Sequence, residues 1–213
     1  MNGTAQTREE PPPAILVDEH AIGEHVERIA GQLTRDHPDG VVLIGVLKGA
    51  LIFLADLVRA ITEIDVTVDF LAISRYAPDS GRVRILKDLD VDVEGRDVVL
   101  VEDLVDTGLT LAYLLSHVRQ RAPRSLDVCT LLDRPARRIV PLTVRYVGAE
   151  IDDVFVLGYG LHQADLYRNV PFIVEADRRV VLDRPAAYVD ALYGAGNAAL
   201  RPLHRHSVRE GEW

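Results

Sequence analysis

Three carboxylates fall within the short stretch VVLVEDLVDTGLT, residues 98–110: Glu102, Asp103 and Asp106, the last followed by Thr107 and Gly108. Adjacent acids can hold sugar hydroxyls or a hard divalent cation, which prefers oxygen donors. A glycine lets backbone come close to a ligand. A helix beginning behind it offers free N–H groups to an anion. A phosphorylated, metal-bound substrate would satisfy the acids and the amides together.

The elements that must position these residues follow from the apolar pattern. Val98–Val101 is all branched aliphatic and reads as a buried strand. Leu109–Gln120 reads as a helix, with Leu111, Leu114, Leu115 and Val118 on one stripe. The acids are therefore expected at the carboxyl end of the strand, on the turn into the helix, where ligands bind in open α/β sheets. Upstream, residues 18–36 read as an amphipathic helix with Ile22, Val26, Ile29, Ala30 and Leu33 on one face and Asp18 as its cap. Val41–Val46 is a buried strand, Leu51–Ile61 a helix and Ile64–Ile73 a long strand. The segment 74–82, SRYAPDSGR, reads as a loop able to close over a site, with Val83–Lys87 a short strand beyond it. Leu126–Leu132, Val144–Gly148, Val154–Leu157 and Phe172–Glu175 are further strand candidates. Alternating strands and helices predict an α/β fold, a mostly parallel sheet with flanking helices. Residues 1–13 read as a loose arm, 14–185 as the folded domain, and 186–213 as a tail without periodicity.

Composition narrows the function classes. The 213 residues are 48% apolar and 27% charged, as in a globular domain. The net charge of −9 argues against nucleic acid as a partner, since that needs a basic face. A single cysteine, Cys129, sits in an apolar run and reads as a buried strand thiol. It allows no internal disulfide, which fits a reducing cytoplasm. The start MNGTAQTREEPPP has no apolar signal region, and no run of about 18 apolar residues predicts a membrane span. His204 and His206 lie in the tail and read as solvated residues rather than metal ligands.

Six pieces in order carry a family likeness: GVLKGALIFLADLVRAI, RVRILKDL, VVLVEDLVDTGLTLAYLL, CTLLDRPARR, VGAEIDDVFVLGYGL and YRNVP. In these the chain resembles the hypoxanthine-guanine phosphoribosyltransferases, over about Val42 to Glu175. The resemblance implies a type I phosphoribosyltransferase fold with a small base-binding hood. It implies magnesium as cofactor and a homodimer or homotetramer. Its substrates would be 5-phosphoribosyl-1-pyrophosphate and a purine-like base, joined at N9 with release of pyrophosphate. By resemblance, Glu102 and Asp103 contact the ribose hydroxyls and, through water, magnesium. Asp106 is the general base near purine N7. Asp106, Thr107, Gly108, Leu109 and Thr110 cradle the 5′-phosphate. Leu47, Lys48 and Gly49 lie under the pyrophosphate, often across a cis bond, and Arg168 also meets it. Phe155 stacks on the base and the Val156 backbone reads its edge. Ser74, Arg75 and Tyr76 belong to the lid.

Three positions depart from that pattern. Arg134 stands where the family has a lysine that donates to the oxygen on C6, and arginine is longer, planar and forked. His162 stands where the family has an aspartate near the second magnesium and the base, and neutral histidine is a poor magnesium ligand. Arg75 stands where the lid usually carries serine. The phosphoribosyl half is thus intact while the base half is altered. Two acceptors remain open: hypoxanthine or guanine, or a 7-deazapurine such as 7-cyano-7-deazaguanine (preQ0). Two further readings are a regulator that senses the phosphoribosyl donor without catalysis, and an inactive partner subunit disabled by His162.

Overall fold

The computed structural model describes residues 12–74, 84–193 and the backbone of 208–209. Among these, seven strands form one sheet in the order β10-β7-β6-β5-β2-β3-β4. The strands are β2 (Val41–Leu47), β3 (Val66–Ser74), β4 (Arg84–Lys87), β5 (Asp97–Val105), β6 (Ser125–Asp133), β7 (Tyr146–Ile151) and β10 (Val208–Arg209). The pairs from β7 through β6, β5 and β2 to β3 are all parallel, while β4 and β10 add antiparallel edges. This is the mostly parallel α/β sheet the sequence predicts.

The continuous aliphatic run of β2 is explained by burial on both faces. Val41 and Leu43 pack with α1 (Glu19–Asp36) and α2 (Leu51–Ala60), whereas Val42, Ile44 and Val46 pack with α3 (Leu109–Arg119). The helix stripes are as expected: Ile22, Val26, Ile29, Ala30 and Leu33 are buried on α1, and Leu111, Leu114, Leu115 and Val118 on α3. Asp18 caps α1 by accepting from the Ala21 N–H at 2.8 Å. Cys129 is fully buried in the sheet core, and burial pushes its thiol up beyond ordinary titration.

A second, smaller antiparallel sheet stands over one end of the first. It is built from β1 (Ala14–Val17), β9 (Ile173–Ala176) and β8 (Phe155–Leu157), in that order. The N-terminal strand β1 was not predicted; its four residues are too short to show a period, and it is fixed by pairing with β9 across the whole domain. Nor were α4 (Arg178–Asp183) and α5 (Val189–Leu192), both shorter than two full turns. Residues 186–193 pack into this hood rather than leaving it. Tyr188 and Leu192 are buried, and the Tyr193 hydroxyl accepts from the Tyr167 N–H at 2.9 Å. His204, His206, Arg75 and Tyr76 lie outside the described residues. No helix among the described residues is long and apolar enough to cross a membrane.

Candidate active site

The carboxyl ends of β2 and β5 face the hood across a cleft of about 520 Å³. The sheet side contributes Leu47, Lys48, Gly49, Ser74, Glu102, Asp103, Asp106, Thr107, Gly108 and Thr110. The hood side contributes Phe155, Val156, His162 and Arg168, and Arg134 completes the wall. Residues predicted from distant parts of the chain thus meet in one place. Leu109 is not in the wall; it begins α3 and is 46% exposed.

The acids are placed differently from the sequence expectation. β5 does not stop at Val101 but runs to Val105, so Glu102 and Asp103 are strand residues and Asp106 alone stands on the turn. The reason is the ladder to β6: Glu102 pairs with Thr130, Leu104 with Leu132 and Val105 with Asp133. Pairing, together with the buried Val105, carries the strand past the first polar residues. Strand geometry fixes the two acids more firmly than a turn would.

Local packing explains the glycines that matter. A Cβ on Gly49 would lie 1.9 Å from Asp103 Oδ2, so glycine is what lets that carboxylate rest against the 47–49 loop. The Leu47–Lys48 peptide in this loop is cis. Gly108 has φ +81°, a left-handed conformation that favours glycine, and α3 begins there with no side-chain cap. In the first turn of this 11-residue helix the Leu109 N–H donates to the Thr107 hydroxyl at a long 3.4 Å, and this N-terminus is the helix end that suits a phosphate.

Asp106 sits among arginines. Its Oδ1 is 3.1 Å from Arg137 Nε and 3.6 Å from Arg134 Nη1. Neither contact has hydrogen-bond geometry, and Oδ1 is a buried acceptor without a bonded donor. Arg134 is 5% exposed; its Nη2 donates to the Val154 carbonyl at 2.6 Å, while its Nε has no acceptor. Burial lowers the proton affinity of this guanidinium, Asp106 opposes the shift, and Arg137 and Arg178 add to it. Arg137 and Arg178 also line the cleft. Neither was singled out from the sequence, although Arg137 lies within the quoted piece CTLLDRPARR. Arg178 opens α4, a helix that left no periodic trace, so no local signal marks it.

On the opposite flank, His162 Nδ1 accepts from the Asp165 N–H at 3.0 Å. In the neutral ring the proton then sits on Nε2, leaving no lone pair there for a metal. Asp165, also unpredicted, lies 3.6 Å from Lys48 Nζ and accepts from Arg168 Nη2 at 2.9 Å. The Arg168 hydrogen bond and then Lys48 hold its carboxyl below the usual carboxylate range. Arg168 Nη1 is anchored on the Gly160 carbonyl at 2.6 Å.

The donor set fits a magnesium ion held jointly with substrate. No group of three or more His, Cys, Asp or Glu side chains among the described residues forms a metal cage. The adjacent Glu102 and Asp103 would supply the one or two carboxylates that magnesium takes when phosphate oxygens and waters provide the rest.

Comparison with known proteins identifies the family of this chain. Residues 14–164 match the phosphoribosyl transferase domain family. The hypoxanthine-guanine phosphoribosyltransferase of Bacillus subtilis (strain 168) is 44% identical over 163 residues, covering 75% of this chain and 90% of that protein. The hypoxanthine phosphoribosyltransferase of Escherichia coli (strain K12) is 39% identical over 165 residues, covering 75% and 92%. A crystal structure of a hypoxanthine-guanine phosphoribosyltransferase from Bacillus anthracis superposes with a TM-score of 0.74 at 43% identity, covering 78% of this chain and 100% of that one. These relatives are named as enzymes, and the sensing-regulator reading finds no support among them.

Proposed function

Since this chain belongs to the hypoxanthine-guanine phosphoribosyltransferase family, we propose how its cleft divides the work of phosphoribosyl transfer from 5-phosphoribosyl-1-pyrophosphate to a purine base. The observation that carries this reading is the meeting of the 102–110 segment with Lys48, Gly49 and Arg168 in one cleft. Glu102 and Asp103 bind the ribose hydroxyls and, with the substrate, hold magnesium. The amides and hydroxyls from Asp106 to Thr110 take the 5′-phosphate, Leu109 through its backbone. Leu47, Lys48, Gly49 and Arg168 hold the diphosphate. By resemblance to the family, Ser74, Arg75 and Tyr76 would belong to a lid that keeps water from the sugar.

The reaction breaks the bond from C1′ to the diphosphate oxygen and forms one to N9, and the electron pair leaves on pyrophosphate. Positive charge grows on the ribose beside Glu102 and Asp103, and negative charge grows beside Lys48 and Arg168. Bound magnesium supplies additional charge neutralisation at the leaving group. Phe155 stacks on the base and the Val156 backbone reads its edge. Asp106 accepts or holds the N7 proton, which leaves N9 free to attack. Arg134 beside it offers only donors, as the C6 oxygen next to N7 requires.

Hypoxanthine and guanine are the acceptors this arrangement favours, because they present an N7 proton to Asp106 and an oxygen to Arg134. A second reading has its own observation: Arg134, Arg137 and Arg178 all line the cleft, more positive charge than one C6 oxygen needs. A 7-deazapurine with an electronegative substituent, such as 7-cyano-7-deazaguanine, would use them but has no N7 for Asp106. We place the enzyme in the cytoplasm as a homodimer or homotetramer, by analogy with the resembled family. The test is turnover on hypoxanthine, guanine and 7-cyano-7-deazaguanine with magnesium and the phosphoribosyl donor, read as released pyrophosphate. Fast use of hypoxanthine or guanine with no deazapurine product supports the first reading, and the reverse selects the second. No pyrophosphate from any of the three would remove both.

A further inference from the structure

Asp165 occupies a place that the assigned roles leave unexplained. The turn 161–168, LHQADLYR, holds a single acid, and that acid faces the two cations assigned to the diphosphate. Its Oδ1 is 2.9 Å from Arg168 Nη2 and 3.6 Å from Lys48 Nζ, so it links the hood to the loop after β2. The contact is held by its frame. Asp165 has φ +61° and the preceding Ala164 φ +50°, and the Asp165 N–H is fastened to His162 Nδ1. Gln163 and Leu166 close the turn by a backbone bridge. On the other side a Cβ at Gly160 would lie 2.3 Å from the Gly49 carbonyl oxygen, so the hood and the Lys48 loop lie in contact.

We propose that Asp165 is a positioning residue, an internal counter-ion that competes with the diphosphate for Lys48 and Arg168. The proposal rests on the assignment of those two cations to the diphosphate. An ammonium and a guanidinium brought to one site repel each other, and a carboxylate between them holds both in place. Incoming diphosphate carries more charge than one carboxylate and displaces it. After bond cleavage the same carboxylate recaptures the cations and helps pyrophosphate leave. Both Lys48 and Asp165 are about two-thirds exposed, so the exchange is between solvated partners and its effect is modest. Histidine at position 162 carries no negative charge in either protonation state, so Asp165 supplies the negative charge of this turn.

The test is Asp165→Asn, since asparagine tolerates the left-handed conformation and preserves the turn. Binding of inorganic pyrophosphate is measured by calorimetry with and without magnesium, alongside KM for the phosphoribosyl donor and kcat. The expected result is pyrophosphate binding about two- to fivefold tighter, the scale of one exposed ion pair. The donor KM falls by a similar factor while kcat does not rise. A merely structural role would not tighten binding. Unchanged affinity would overturn the proposal. So would weaker binding, including weakening seen only with magnesium, which would make Asp165 a metal-side group. Lys48→Ala separates the two levels: if it leaves pyrophosphate affinity unchanged, the diphosphate assignment itself fails.

Discussion

β5 begins with the acid Asp97 and is followed at once by the acid Asp106, and its two ends behave differently. At the start, Asp97 accepts from Arg124 Nε at 2.8 Å and from the Ser125 hydroxyl at 2.7 Å, with His37 Nδ1 at 3.4 Å. Its carboxyl is held far below the usual range, by Arg124 foremost. At the end, Asp106 has arginines near it but no bonded donor on Oδ1, and Arg134 Nε beside it has no acceptor. Both ends combine carboxylates with arginines. Completed polar networks hold a fold together, whereas a buried donor and acceptor left incomplete side by side point to a ligand that completes them. By this contrast, function belongs to the carboxyl ends of the strands and stability to the amino ends, in line with the proposed function.

The sharpest way to break this contrast is Asp106→Asn. Turnover should fall by roughly 10²–10⁴-fold if the residue acts as general base, with the unfolding midpoint little changed. A large loss of stability with ordinary turnover would reverse the roles of the two ends. Next in size is Gly49→Ala, which drives Asp103 from its place because the new Cβ would sit 1.9 Å from Oδ2. Displacement on that scale should lower kcat/KM by up to about 10²-fold in steady-state assays. Unaltered kinetics would mean that Asp103 does not act from its observed position. At the other end, Asp97→Asn should cost about 1–3 kcal/mol in urea unfolding, the scale of charge-assisted hydrogen bonds, and leave kcat/KM unchanged.

The smallest effect is its pH dependence. The folded pKa of Asp97 is depressed, so its contribution is fully present above the unfolded value of about 3.9 and is lost as pH falls toward the folded value. The stability difference between wild type and Asp97→Asn should thus be constant near neutrality and shrink below about pH 4. A gap that instead widened on acidification would contradict the network drawn around Asp97.

Much of this was legible in the sequence because it is local. The 3.6-residue stripe of α1 and the aspartate before it predict both the helix and its cap, and the aliphatic run at Val41 predicts a strand buried on both faces. The resemblance in six ordered pieces brought Lys48, Asp106, Phe155 and Arg168 together, and the cleft contains all of them. What was not legible depends on distant partners. The end of β5 was misplaced because acids facing a cleft interrupt the apolar run, while the ladder to β6 continues beneath them. β1 has four residues and exists through β9. Asp165 reveals itself only through Lys48, which lies 117 residues earlier in the chain and meets it across the hood.

The central claim is that the carboxyl end of β5 grips the activated sugar. Calorimetric titration of 5-phosphoribosyl-1-pyrophosphate with magnesium, into wild type and into a Glu102→Gln/Asp103→Asn double variant, tests it most directly. The account predicts saturable binding to the wild type and affinity at least about tenfold weaker in the variant, the scale of losing one or two charge-assisted hydrogen bonds. Equal affinity in the two proteins, or no binding to the wild type, would contradict it.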